Sequence, residues 1–506
     1  MDGFSAWKGN HKHRTHSTSE GGFLSIEWSD EIIKIQHDCF GLYPVFYYAD
    51  QNICIISDSL FVITRAMKMI GLDVSLNKKS ILTRSWTHGL ACSLMTKETL
   101  VKGVVYLQPC SSLTIKTVED GIGLKEECED LTKIFHPTDK SYIRSLIAAK
   151  KEISSVVNSL QRNTLLGYKL GLSGGLDSRI ILALILQNEE GLKKTYINSN
   201  THSSRNIDFS IVQSLSREFG FEFNNEIQHP ENRAIRVTNP FGNFIKFSLG
   251  TFDMTYLYRS YWETPNLIEI GGHGAEIAKG TFSNFKLIRK ISIWEPIKKL
   301  KMYIDIRNSL KYRCIKINQR NSIQWHHLLY KSAIQNGRYL ERTDISFRPL
   351  MNRKLVSIGL QYQNERQILK DLLILLSPKL ATHPFDVEKK NIDQSYIDSL
   401  LEEAQTIETN ESAEYDVFGS PDTIKNGLLT SFDSLTEDYT LDYDNKKQSL
   451  LQMMERIWAG LTDKDLKNSY RGAYKLARQR LNDDASYFPS AGAPASKIIA
   501  LGVLFD

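Results

Sequence analysis

Two short glycine-bearing segments carry the chemistry most readable from this chain. The first, Leu172-Ser173-Gly174-Gly175-Leu176-Asp177-Ser178, follows an apolar strand-like run (LLGYKLG) and precedes an apolar helical one (RIILALILQ). At such a junction a helix N-terminus offers unpaired N–H groups and the positive end of its dipole, and two glycines let the backbone close on an anion without Cβ interference. The hydroxyls of Ser173 and Ser178 add donors, and Asp177 supplies the hard oxygen that a phosphate-bound Mg2+ takes. The pattern is a phosphate cradle. It is not the Walker loop, because no Gly-Lys-Ser/Thr follows, and it lacks the GxGxxG spacing of dinucleotide folds. The second segment, Gly271-Gly272-His273-Gly274-Ala275-Glu276, again ends an apolar strand-like run. A glycine-rich turn capped by Ser or Asp explains either loop alone. Two on neighbouring strands would meet at the carboxyl edge of a parallel sheet, where open α/β sheets bind ligands, and would bracket a pyrophosphate.

The elements that must position these loops fall into two halves. From about Gly22 to Lys116 the runs FLSIEW, EIIKIQH, PVFYYAD, NICIISD and SSLTIKT alternate or are β-branched and predict a mostly sheet region. The polar stretch from Glu119 to Lys140 breaks the pattern and is taken as the boundary. Beyond it, SYIRSLIAAKKEISSVVNSLQR reads as an amphipathic helix. Strand and helix then alternate (LLGYKLGLS, RIILALILQ, TYINSN, DFSIVQSLSREFG, FEFNNE, LIEIGGHG), which predicts a parallel sheet covered by helices. After Asn284 helical periods dominate, and the acidic stretch Glu402–Asp444 reads as a solvated connection.

At 506 residues and 57.9 kDa two domains are expected, and the composition is that of an ordinary folded protein. A formal charge of +5 is too weak a field to argue for nucleic acid or an anionic membrane. Six scattered cysteines, with no CxxC pair, indicate neither a zinc site nor a disulfide framework, and a reducing compartment fits. No signal-peptide core and no apolar run of roughly 18 residues is present, so a cytoplasmic protein is expected. His11, His13 and His16 lie in a polar Ser/Thr-rich stretch read as a solvated segment rather than a metal site.

Taken together these residues resemble the asparagine synthetase-like enzymes, with β-lactam synthetases and lasso-peptide cyclases among their relatives. SGGLDS matches the PP-loop of that family's ATP pyrophosphatase domain. The resemblance implies that Leu172, Ser173, Gly174, Gly175, Asp177 and Ser178 bind ATP phosphates, with Gly272, His273 and Gly274 from the second loop, and that Asp177 and Glu276 hold Mg2+. Glu276 stands where the family carries Asp, and Ile277 where asparagine-forming members carry Glu. Asp38-Cys39-Phe40-Gly41-Leu42-Tyr43-Pro44-Val45-Phe46-Tyr47-Tyr48 is similar to a strand of the family's amidotransferase domain, Leu107-Gln108-Pro109 to a later turn of it, and Arg348–Arg353 to a segment of the helical lobe.

The resemblance covers nearly the whole chain. It implies an α/β protein with an N-terminal Ntn-hydrolase-like β-rich sandwich over 1–125 and a doubly wound parallel-sheet PP-loop synthetase domain with a helical lobe over 140–506. Glutamine-hydrolysing members need a cysteine as residue 2, whose freed amine activates its own thiol. Here residue 2 is Asp2, so the sandwich is expected to be a shortened, degenerate glutaminase. The expected reaction is AMP-forming amide ligation: a substrate carboxylate is adenylated from ATP and Mg2+, and an amine then displaces AMP. Lys389, Lys390 and Lys279 are the candidates for neutralising phosphate charge. The expected partners are a small-molecule or peptide carboxylate and amine, with room for a pathway partner protein, and neither nucleic acid nor membrane. A glutamine-independent asparagine synthetase-like enzyme and a non-catalytic nucleotide-binding scaffold are the competing readings.

Overall fold

The computed structural model describes residues 4–9, 20–87, 89–137, 139–162, 167–200, 206–225, 233–236, 239–257, 260–263, 267–280, 296–319, 321–337, 345–362, 367–407, 415 and 433–506. Fourteen strands are present among them, and the chain is mixed α/β, with antiparallel sheets and one parallel sheet.

The β-branched runs of the first half form two antiparallel sheets. One orders β1 (Phe4–Gly9), β2 (Phe23–Trp28), β3 (Ile32–His37), β7 (Ser111–Val118) and β8 (Gly121–Cys128). The other orders β5 (Cys54–Ser57), β4 (Val45–Ala49) and β6 (Val105–Leu107). Alternation places Ile35, Leu113 and Ile115 of the first sheet in one apolar cluster with Val45, Tyr47 and Leu107 of the second. Asp38 closes the turn before β4 by accepting the N–H groups of Phe40 (2.9 Å) and Leu42 (3.0 Å). Gly41 in that turn has φ +63°, and a Cβ on it would lie 2.9 Å from Pro109 Cγ. The two N-terminal segments that carry the family resemblance are therefore in contact.

The sheet does not end where the sequence changes character. β8 pairs with β7 along its length, from Val118↔Gly121 to Ser111↔Cys128, and so occupies much of the stretch read as a boundary. Its charged residues sit on a largely exposed edge strand, which explains their linker-like spelling.

The second half contains a parallel sheet in the order β10 (Thr195–Asn198), β9 (Gly167–Gly171), β13 (Leu267–Ile270), β14 (Ile345–Phe347). Its core is built with the helices Tyr142–Arg162, Leu176–Ile185, Asn206–Phe219, Arg353–Tyr362 and Ile368–Leu376. The described part of FEFNNE, residues 221–225, forms no strand: it meets the parallel sheet through the backbone bond from Asn224 N–H to Ile197 O (2.8 Å), while Phe221 N–H turns back to Ser216 O (3.3 Å). β11 (Arg233–Arg236) and β12 (Ser260–Glu263) form a separate antiparallel pair. Residues 408–414 and 416–432 of the acidic stretch, like His11, His13 and His16, lie outside the described residues.

The C-terminal helices Lys446–Gly460, Lys464–Leu481 and Phe488–Val503 share one apolar core with residues of the N-terminal half, from Cys39 to Phe135. A buried ion triad fastens this union. Asp253 accepts Arg84 Nη2 at 2.6 Å and Lys497 Nζ at 2.5 Å, all three side chains being 3% exposed or less. Among the described residues no helix is long and apolar enough to cross a membrane.

Candidate functional site

β9 and β13 are hydrogen-bonded neighbours in parallel register (Leu267↔Gly167, Glu269↔Lys169), so the loops that follow them leave the same edge of the sheet. The first begins at buried Leu172, whose N–H continues the ladder to Asn198 O (2.7 Å). Ser173 N–H donates to Ser178 Oγ (3.1 Å), and Gly175 N–H to Ser173 Oγ (3.2 Å). The two hydroxyls meet at 3.1 Å. Gly175 then caps the helix Leu176–Ile185, and Asp177 stands in its first turn, where a carboxylate suits the helix dipole.

The second loop crosses over the first. A Cβ on Gly272 would lie 2.8 Å from Asp177 Cβ and 2.9 Å from its carbonyl carbon. Only a glycine allows this approach. Gly274 adopts φ +96°, with Met351 of the Arg348–Arg353 segment directly behind it. It caps the short helix Ala275–Ala278.

Lys279, one residue past that helix, reaches back to the first loop. Its Nζ lies 2.5 Å from Asp177 Oδ2, and the two side chains are 41% and 33% exposed. The other oxygen, Asp177 Oδ1, is buried and has no hydrogen-bond partner among the described residues. Burial raises the Asp177 carboxyl above its ordinary range and the charge of Glu276 adds to this, while Lys279 and Lys390 oppose it. Asp177, Glu276, Lys279 and Lys390 thus share one electrostatic neighbourhood.

Glu276 points elsewhere with its hydrogen bonds. Oε2 accepts Gly274 N–H (2.9 Å), and Oε1 accepts Ser332 Oγ (3.3 Å) and Asn336 Nδ2 (3.2 Å). Ser332 closes a π-helical turn, His327–Ser332, a geometry frequent at functional positions. Burial opposes the charge on Glu276. His327, the backbone bond, Asn336 and His273 outweigh it, and the carboxyl is held below its usual range. His273 itself is half-buried on the loop. Ile277 is wholly buried and belongs to the core.

The segment His383-Pro384-Phe385-Asp386, after the short helix Pro378–Thr382, supplies a third wall. Asp386 N–H donates to Gly174 O (3.3 Å). Arg179, directly after the first glycine loop, is fully buried; it donates to the carbonyls of His383 (2.6 Å) and Pro384 (2.7 Å) and stacks 3.8 Å over the Phe385 ring. It fastens the wall. Lys390 is held by both oxygens of Asp386 (2.8 and 2.9 Å), whereas Lys389 is exposed. Of the three candidate lysines, Lys279 and Lys390 reach the Asp177 neighbourhood, and Lys389 faces solvent.

Sequence reasoning missed Asp208, Asp386, Ser332 and Asn336. Asp208 has a faint signal, an acid in the first turn of the helix after β10. Asn336 has none, since only the tertiary fold brings it to Glu276. Among the described residues no group of three or more His, Cys, Asp or Glu could hold a metal ion. Comparison of the chain with family models and with curated proteins finds no match.

Proposed function

We propose that this protein is an ATP-dependent, AMP- and pyrophosphate-forming carbon–nitrogen ligase of the asparagine-synthetase type, without glutaminase activity. In this reading the two N-terminal sheets are a degenerate Ntn-hydrolase-like sandwich, and the parallel sheet with its helices is a PP-loop synthetase domain. The observation that carries it is the seating of Gly272 on Asp177. Two glycine loops from adjacent parallel strands share a wall there, in the place and spelling suited to a pyrophosphate.

The residues present fit a magnesium-loaded nucleotide. A buried carboxylate oxygen without a partner among the described residues, Asp177 Oδ1, is a ligand atom in want of a cation or a proton. Asp177 would hold Mg2+, with Glu276 adding negative charge nearby while its bonds keep the second loop in shape. Mg2+ bound there supplies charge neutralisation of the phosphates. The amides of the first turn of Leu176–Ile185 face the same anion, and Ser173 and Ser178 fix the loop that presents them. Lys279 and Lys390 lie where they can exchange their carboxylate partners for phosphate oxygens. Such preorganised donors act on charge that develops on the departing pyrophosphate.

The substrate carboxylate and the attacking amine are proposed to belong to a dedicated biosynthetic pathway, as in peptide macrocyclisation, β-lactam-like ring closure or a sugar amide. Asparagine formation is the weaker reading, because Ile277 lies wholly buried in the core. A cytoplasmic setting suits the free cysteines. The test is pyrophosphate release from ATP and Mg2+ with candidate carboxylates. Release that needs Asp177, shown by its loss in Asp177→Ala, supports the reading; release that survives Asp177→Ala refutes the site.

A further inference from the structure

Gly174 is held at both of its backbone polar groups. Its N–H donates to Asp208 Oδ1 (3.0 Å), in the first turn of the helix Asn206–Phe219. Its carbonyl accepts Asp386 N–H (3.3 Å) and, at the limit of bonding, Arg179 Nη2 (3.5 Å). The packing is as close as the bonding. A Cβ on Gly174 would lie 2.9 Å from Ile211 Cδ1 and 3.1 Å from both Asp208 Oδ1 and Asp386 Cβ. Ser173 and Gly175, by contrast, donate their N–H groups within the loop itself.

An amide bonded to a carboxylate is roughly twice as strong an anchor as one bonded to a neutral oxygen. The helix that carries Asp208 is 14 residues long, and its dipole favours a negative charge in the first turn. Asp208 is therefore a firm outer strut on the first glycine of the cradle. We infer that Asp208 is a positioning residue for nucleotide binding: by pinning the Gly174 peptide, it fixes the loop that leads into the helix Leu176–Ile185 and so sets that helix's first-turn amides toward the phosphates. This rests on the nucleotide-binding reading above and assigns a residue that reading does not use. Asp208 touches no substrate in this account and acts through Gly174.

The test compares the full-length wild type with Asp208→Asn, which keeps an oxygen acceptor, and Asp208→Ala, which does not. A fluorescent ATP analogue with Mg2+ reports equilibrium binding, and circular dichroism with thermal denaturation reports folding. Losing a hydrogen bond to a charged group predicts binding about ten-fold weaker in Asp208→Ala. Asp208→Asn is expected to recover most of that affinity. With a turnover assay, KM for ATP rises more than kcat falls. A folded Asp208→Ala that binds as tightly as wild type, or more tightly, overturns the inference and leaves the nucleotide reading standing. Wild type that binds no ATP with Mg2+ overturns both. Where Asp208→Ala does not fold, Asp208→Glu decides, since it keeps the charge but displaces the oxygens: weakened binding supports the strut, and unchanged binding refutes it.

Discussion

Replacing Gly272 with alanine tests the meeting of the two loops without touching any ionisable group. The added methyl would stand 2.8 Å from Asp177 Cβ, 2.9 Å from its carbonyl carbon and 3.0 Å from its carbonyl oxygen. Carbon atoms rest at about 3.5–4.0 Å, so one loop must move by more than half an ångström. None of the three atoms belongs to a flexible chain end, and no rotamer change can relieve the contact. Overpacking of this kind costs about 1–3 kcal/mol. The larger effect falls on function, because misplacing a catalytic arrangement by about 1 Å can cost on the order of a hundred-fold in rate. Gly171→Ala is the control, since a Cβ there meets nothing within 4 Å. Urea denaturation and ATP-dependent pyrophosphate release would be measured for both variants. The expected result is a Gly272→Ala protein that is folded, less stable and severely impaired, beside a Gly171→Ala protein close to wild type. Equal behaviour of the two would refute the contact between the loops.

Three further outcomes are expected. Asp253→Ala leaves Arg84 and Lys497 buried without their shared carboxylate and should destabilise the protein by about 3–5 kcal/mol in urea, with the C-terminal helices loosening from the N-terminal half. Glu20, raised to about 7 chiefly by burial and next by the charge of Glu152, should make stability fall as pH rises from about 4.5 through 7. The sign follows from the folded carboxyl binding its proton more tightly than the unfolded one. Glu20→Gln should flatten that slope, by at most about 3 kcal/mol and less for solvent screening of a side chain 29% exposed. Asp177→Asn should leave the unliganded protein as stable as wild type or slightly more so, because burial already disfavours the charged carboxyl, while abolishing pyrophosphate release. A destabilised Asp177→Asn would mean that the Lys279 pair, not the ligand, is what Asp177 serves.

The part of the site legible in the sequence is the part dictated by local chemistry. Ser173 to Ser178 could be read because a strand-to-helix turn with two glycines, two hydroxyls and an acid has few other uses, and Gly272 because close approach leaves a glycine behind. The strands β2, β3, β4, β5 and β7 were legible from alternating or β-branched runs, whereas the three-residue β6 (Val105–Leu107) was too short to read. β8 was not, because an edge strand spelled GIGLKEEC owes its place to the ladder with β7 rather than to apolar periodicity. FEFNNE erred the other way: its alternation suggested a strand, yet among its described residues, 221–225, only Asn224 bonds to β10 through its backbone. Asp208, Asp386 and Asn336 act through partners 34, 212 and 60 residues away, and no local pattern announces such contacts. The union of the C-terminal helices with the N-terminal core, through Asp253 and Lys497, was hidden for the same reason.

The central claim is that ATP is cleaved between its α- and β-phosphates to activate a carboxylate. It is tested most directly by 31P NMR of the nucleotide products formed with Mg2+, a pool of carboxylates and hydroxylamine as a general amine trap. The account predicts equal amounts of AMP and pyrophosphate, matched by hydroxamate. ADP and orthophosphate as the products, or ATP left intact across the pool by a protein that does not bind it, would contradict it.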